Sequence, residues 1–273
     1  MGLGLLAACS RGGDRTDDGR TDADRTDEEK RVETIRYGDD PSQLLELTRP
    51  AGASKGVVVV IHGGFWLSQY DLSLGRPLAA SLAEEGWTAC NVEYRRVGNG
   101  GGWPQTFDDV AAAIDALADV DDLDTTTVVT LGHSAGGHLA VWAAGRPQLT
   151  GSAWADPRVP VTAAISQAGV LDLASAIADD LGGGAVQRLM GGTVDERYAQ
   201  ADPTALIPLR VPVRCVHGRI DGTVPPSQSA DYVERATAAG ADAQLTVVEG
   251  DHFVVIDPAS TAWSRTLEIL DAL

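Results

Sequence analysis

Long apolar runs, clustered metal-ligand side chains and basic surplus are all missing from this chain. No apolar stretch approaches the ~20 residues that a membrane-spanning helix needs, so no such helix is expected. The 3 cysteines (Cys9, Cys90 and Cys215) and 5 histidines never fall at zinc-ligand spacing, and no Asp-rich loop resembles a calcium site. No metal is therefore called for. Lys and Arg together number 21 against 39 Asp and Glu, a formal charge of −18. Such an acidic surface repels phosphate backbones and argues against nucleic acid as a partner. Cys90 and Cys215 lie in apolar, strand-like runs, where free cysteine behaves as a small hydrophobe. A disulfide between them stays open, although their strands are expected not to be neighbours.

The first thirty residues differ from the rest. Met1–Cys9 ends in Leu6-Ala7-Ala8-Cys9, followed by Ser10, a run that resembles the bacterial lipobox. That reading makes Cys9 a lipidation site and places the protein outside the cytoplasm, anchored to a membrane. No Lys or Arg precedes the stretch and it is short for a signal peptide, faults that an upstream start would explain. The alternative is a chance Leu-Ala-Ala-Cys on a cytoplasmic protein. Residues 10–31 repeat Arg-Thr-Asp with almost nothing apolar, the composition of a flexible tether.

From Val32 to Leu273 the pattern is that of one α/β domain. Glu33–Tyr37 and Gln43–Thr48 read as short strands. Val57–Ile61 reads as a strand buried on both faces. Further strands are expected at Thr88–Tyr94, Thr127–Leu131, Val161–Gln167, Val213–His217 and Gln244–Glu249. Helices are expected at Leu72–Glu85, Phe107–Ala118, Ser134–Ala144, Ser227–Ala239 and Pro258–Leu273. Alternation of this kind implies a mostly parallel sheet of about eight strands with helices on both faces. Gly182–Tyr198 breaks the rhythm and reads as a small helical excursion near the site.

The strand at Thr127–Leu131 runs into Gly132-His133-Ser134-Ala135-Gly136-Gly137 and then a helix. G-x-S-x-G between strand and helix is a nucleophile elbow, in which Ser134 is the candidate nucleophile. Glycine is needed at 132 and 136, where side chains would crowd the neighbouring chain; a purely structural turn is the bland alternative. A serine at its free pKa needs a base held by an acid. Among the histidines only His252 lies in a late loop past the last strand, so His252 is the candidate base. Asp221, on the loop after Val213–His217, is the candidate acid and completes the order Ser, Asp, His. Asp251 competes for that role but, adjacent to His252, is poorly placed to reach the ring. Oxyanion stabilisation requires fixed backbone N–H groups. Val57–Ile61 ends in His62-Gly63-Gly64-Phe65-Trp66, and Gly64 and Phe65 are assigned as donors from this loop, with Ala135 as the donor after Ser134. His62, Gly63 and Trp66 form the supporting part of the loop. Phe65 and Trp66 are also open to a reading as ordinary core aromatics.

His-Gly-Gly-Phe-Trp followed by Gly-His-Ser-Ala-Gly-Gly-His-Leu-Ala resembles the esterase/lipase branch of the α/β-hydrolases that includes kynurenine formamidase, bacterial feruloyl esterase-like proteins and hormone-sensitive-lipase relatives. The likeness extends to Glu93-Tyr94-Arg95-Arg96, Trp103-Pro104, Asp108-Asp109 and the segment from His217 to Pro225. It implies the α/β-hydrolase fold, acyl-enzyme chemistry on carboxylic esters or aryl amides, and no cofactor; small or medium acyl esters are the leading expectation. Formamidases of this branch usually carry Tyr where this chain has Phe65, which favours esters over N-formylkynurenine-like amides. A peptidase reading, from the likeness of the His217–Pro225 segment to prolyl-oligopeptidase relatives, lacks room for their propeller domain. The remaining alternative is a catalytically dead scaffold acting as a binding lipoprotein.

Overall fold

Five β-branched residues in a row cannot present a polar face, and Val57–Ile61 accordingly becomes β3, buried on both sides within the sheet. The computed structural model describes residues 32–192 and 196–273; the lipobox, Cys9 and the Arg-Thr-Asp segment lie outside the described residues. Around β3 are β1 (Val32–Arg36), β2 (Leu44–Thr48), β4 (Thr88–Val92), β5 (Val128–His133), β6 (Ala163–Gln167), β7 (Val213–Gly218) and β8 (Ala243–Val248). They form one eight-stranded sheet in the order β1-β2-β4-β3-β5-β6-β7-β8. β1, β2 and β4 pair antiparallel, and every pairing from β4 through β3 to β8 is parallel.

The helices are α1 (Arg76–Glu84), α2 (Gln105–Ala116), α3 (Ala135–Gly145), α4 (Leu173–Ala178), α5 (Ala185–Met190), α6 (Tyr198–Ala201), α7 (Ser227–Ala238) and α8 (Thr261–Asp271). Strand alternation divides the core in two. Val57, Val59 and Ile61 pack with Phe107 and Ile114 of α2, Trp142 of α3 and Tyr232 of α7. Val58 and Val60 pack with Leu78 and Leu82 of α1 and Trp263 of α8 on the opposite face. Each fully buried valine contributes about 1.5–3 kcal/mol, so β3 alone anchors both layers.

The expected α/β-hydrolase architecture is thus present, with local differences that have physical reasons. The helix expected at Leu72–Glu85 is split into a 3-10 turn at Leu72–Leu74 and α1, because Pro77 in the first turn of α1 has no N–H to continue an earlier helix. β5 runs on to His133, two residues beyond the expected strand end, and delivers Ser134 directly into the turn. The excursion at Gly182–Tyr198 belongs to a set of three short helices, α4, α5 and α6; residues 193–195 within it lie outside the described residues. Cys90 and Cys215 are free and buried. They sit on β4 and β7, with three strands between them, about 19 Å apart at the usual interstrand spacing and far beyond disulfide reach.

Candidate active site

The parallel strands deliver the candidate residues to one edge of the sheet, each at or just past a carboxyl end. At the end of β5 the chain turns sharply: Ser134 has φ 56° and ψ −118°, a conformation that costs a non-glycine residue of order 1–3 kcal/mol. The glycines expected to permit the turn do so. A Cβ on Gly132 would collide with the Gly136 backbone, and one on Gly136 with the carbonyl oxygen of Ile61 in β3. Ser134 N–H donates to the Gln167 carbonyl at 2.8 Å, tying the elbow to β6. Ala135, buried, opens α3, so its N–H has no intrahelical acceptor and points from a helix start.

The loop after β3 lies against this elbow: a Cβ on Gly63 would stand 3.2 Å from the Ser134 Cβ. Gly64 (φ 113°), Phe65 (φ 53°) and Trp66 (φ 56°) follow in left-handed conformations, with Leu67 N–H closing the turn onto the Gly64 carbonyl at 2.9 Å. Among the described residues no protein group accepts from the amides of Gly64 or Phe65. Two consecutive aromatic residues at positive φ represent strain of the kind found at functional turns. Phe65 is half-buried and packs over Gly182 of the excursion. Trp66 is buried and meets the His138 ring edge-on at 5.2 Å, so its side chain is core while its backbone shapes the loop.

The loop is braced by Glu93, Tyr94, Arg95 and Arg96, which the sequence marks only through the family likeness. Tyr94 stacks on the His62 ring at 4.5 Å and donates its hydroxyl to the His62 carbonyl at 2.8 Å. Glu93 pairs with Arg96 and accepts from the amides of Leu72 (2.9 Å) and Tyr94 (3.0 Å). Arg95 forms a bidentate pair with buried Asp109 at 2.7 and 2.8 Å. His62, its Nδ1 at 2.8 Å from the Gly63 carbonyl, is pushed down to about 3 by burial and stays neutral at ordinary pH. Beneath the loop lies a void of about 10 Å³ lined by His62, Gly63, Gly132, His133 and Gln167, room for about one water.

Asp221 and His252 meet. His252 Nδ1 lies 2.6 Å from Asp221 Oδ2, and both residues are buried. Asp221 Oδ1 accepts from the amides of Thr223 (2.8 Å) and Val224 (2.9 Å). Burial alone would raise this carboxyl, but hydrogen bonds from His217, His252 and the two amides outweigh it and hold the group far below the usual carboxylate range. An ionised Asp221 makes Nδ1 of His252 the donor and leaves Nε2 able to accept a proton. Asp251 is turned away, its exposed carboxylate accepting from the Phe253 amide at 3.0 Å.

Two contacts were not foreseen. His133, adjacent to Ser134, lies 2.9 Å through Nε2 from the His252 carbonyl, and the two rings pack 4.5 Å apart. This joins the elbow to the histidine loop. His133 is pushed down to about 3, chiefly by burial, so its ring donates as a neutral imidazole. His217 lies 3.2 Å from Asp221 Oδ2, the same oxygen that faces His252. The available signal was general: a histidine ending a buried strand must find polar partners.

A groove of about 680 Å³ lies elsewhere, along β1 and α2, lined by Ile35, Tyr37, Arg49, Asp115, Asp119 and Arg158. It touches no candidate residue, and two of its charged groups close on each other in the Arg158–Asp119 bridge at 2.6 Å.

Residues 45–235 match the family model described as BD-FAE. The chain belongs to the BD-FAE family. Its α/β-hydrolase fold is shared by Thermogutta terrifontis esterase 2 in a butyrate-bound structure, at TM-score 0.72 and 24% identity over 89% of this chain and 92% of that one. Lactobacillus rhamnosis esterase B, inhibited by a tributyrin phosphonate, gives TM-score 0.76 and 24% identity over 88% and 84%. Among curated proteins, Esterase LipC of Mycobacterium tuberculosis is 30% identical over 255 residues, taking in 83% of this chain. This BD-FAE member spans 61% of the length of that relative.

Proposed function

We propose that this protein hydrolyses small carboxylic esters through an acyl-enzyme on Ser134, with Asp221 and His252 completing the triad. The observation that carries the reading is the 2.6 Å Asp221–His252 pair, whose histidine packs on His133, the residue just before a serine at φ 56° between β5 and α3. Ser134 Oγ attacks the ester carbonyl while His252 Nε2 takes its proton, and Asp221 stabilises the imidazolium that forms. The tetrahedral oxyanion is received by the amides of Gly64, Phe65 and Ala135, fixed beforehand by the strained loop and the helix start. His252 then protonates the leaving alcohol, and water repeats the sequence to release the acid.

Ester chemistry is favoured over aryl formamide because the names of the relatives are those of esterases and because Phe65 offers no hydroxyl beside the loop. The decisive comparison is kcat/KM on p-nitrophenyl acetate and on N-formylkynurenine, together with fluorophosphonate labelling. Labelling at Ser134, a faster ester reaction and a loss of at least about 10³-fold in kcat for Ser134→Ala are expected. Near-normal turnover by folded Ser134→Ala would overturn the reading. Lipidation at Cys9, and with it a membrane-surface location, is part of the same proposal. It requires palmitate incorporation in a bacterial host that Cys9→Ala abolishes.

A further inference from the structure

We propose that His217 is a positioning residue for this hydrolysis, holding the Asp221 carboxylate at the angle and charge from which it directs His252. The proposal rests on the reading of Ser134, Asp221 and His252 as a triad.

His217 is the penultimate residue of β7 and is fully buried. Its Nε2 faces Asp221 Oδ2 at 3.2 Å and the Val224 carbonyl at 3.0 Å. Both partners are acceptors, so Nε2 carries the hydrogen whatever the protonation of the ring. Nδ1 lies 2.8 Å from the hydroxyl of Ser229 on α7, also fully buried, which can donate to it. Ser229 thereby fixes the tautomer that Asp221 requires.

The consequence is mechanical and electronic together. Oδ1 of Asp221 is held by the Thr223 and Val224 amides, and His217 bridges Oδ2 to the carbonyl of the same Val224. The carboxylate and its loop are locked from both ends, so the 2.6 Å bond to His252 is met without reorganisation. Two imidazoles also share one oxygen. Charge drawn toward His217 is charge not acting on His252.

The other titratable groups around this cluster are His133, Cys215, Arg219, Glu249 and Asp251. His133, stacked on His252, is held neutral by burial, and Cys215 behind Ser229 is pushed up to about 12 by burial. Arg219 and Glu249 form an exposed pair at 2.6 Å, and Asp251 is engaged with the Phe253 amide. An altered pH profile therefore reports on Asp221 and His252.

The test compares His217→Asn and His217→Gln in the full chain, with kcat and KM for p-nitrophenyl acetate from pH 5 to 9, fluorophosphonate labelling of Ser134 and Tm. Asn keeps the polar contact toward Ser229 but is too short to reach Asp221; Gln places an amide N–H near the position of Nε2. The Asn variant is expected to lose about tenfold or more in kcat with KM changed less than about twofold, and to shift the acid limb to higher pH. The Gln variant is expected to recover most of that loss and the wild-type limb. Equal kcat and limb in both variants, whatever their Tm, would overturn the proposal and leave His217 a packing residue. A labelled, active wild type in that case keeps the triad reading intact. An unlabelled wild type would instead overturn the triad and this proposal with it.

Discussion

Acidification from pH 8 to pH 5 acts on this fold through three histidines. His62 and His133 are pushed down to about 3, and His138 to about 4, in each case chiefly by burial. In the unfolded chain all three titrate near ~6.5. Between these values the unfolded state binds protons that the folded state refuses, so stability falls as pH falls. The slope is about 1.4 kcal/mol per pH unit for each histidine and about 4 for three. At pH 5 each has withdrawn about 2 kcal/mol. Asp202 opposes them: burial pushes it up to about 6, so it takes its proton in the folded state first and returns about 1 kcal/mol. Asp221, whose carboxyl is held low, contributes stability that is present above the unfolded carboxylate range and lost only below about pH 4, outside this window. The net loss of about 5 kcal/mol is comparable with the whole stability of many domains. Urea unfolding at constant ionic strength, followed by tryptophan fluorescence at pH 8, 6.5 and 5, reads it directly. With a slope of about 3 kcal/mol/M, the midpoint falls by about 1.7 M, most of it below pH 6.5. Midpoints at pH 8 and pH 5 within about 0.3 M of each other would refute the reasoning.

Asp221→Asn leaves a carbonyl oxygen facing the Thr223 and Val224 amides and turns an NH₂ toward His252, forcing the ring into the tautomer that cannot accept from Ser134. A loss of about 10³–10⁴ in kcat on p-nitrophenyl acetate is expected, and less than a tenfold loss would contradict the assigned role. Arg95→Met strips the bidentate partner from Asp109, whose side chain is 1% exposed, leaving Gln43 and one amide as donors. Unfolding free energy is expected to drop by about 3 kcal/mol, and an unchanged denaturation midpoint would show that the pair adds nothing.

Legibility followed the range of the interactions. Ser134 was readable because its motif is local: strand, glycine turn and helix are consecutive, and the collisions at Gly132 and Gly136 follow from the elbow itself. Asp221 and His252 were readable because strand order leaves few loops at the same sheet edge. The strands were readable from β-branched runs, although β5 ends two residues later than apolarity alone suggests, since Gly132 and His133 are strand without being hydrophobic. The contacts from His217 to Asp221 and from His133 to His252 depend on side-chain direction at strand ends, which no spacing encodes. The split at Leu72–Leu74 had a visible cause in Pro77, but the short helices α4, α5 and α6 have too few residues to show a period. Trp66 illustrates the limit: one residue serves the core through its indole and the site through its backbone, and composition cannot separate the two.

The sheet order also has a consequence in time. Ser134 leaves β5 in the middle of the sheet, whereas His252 follows β8, the last strand and an outer edge of the sheet. During vectorial synthesis the serine, its strained turn and the glycine loop emerge more than a hundred residues before the histidine that would arm them. A nascent or prematurely terminated chain lacking that edge carries an unarmed serine, so hydrolytic power arrives as one of the final events of biogenesis rather than growing with the chain.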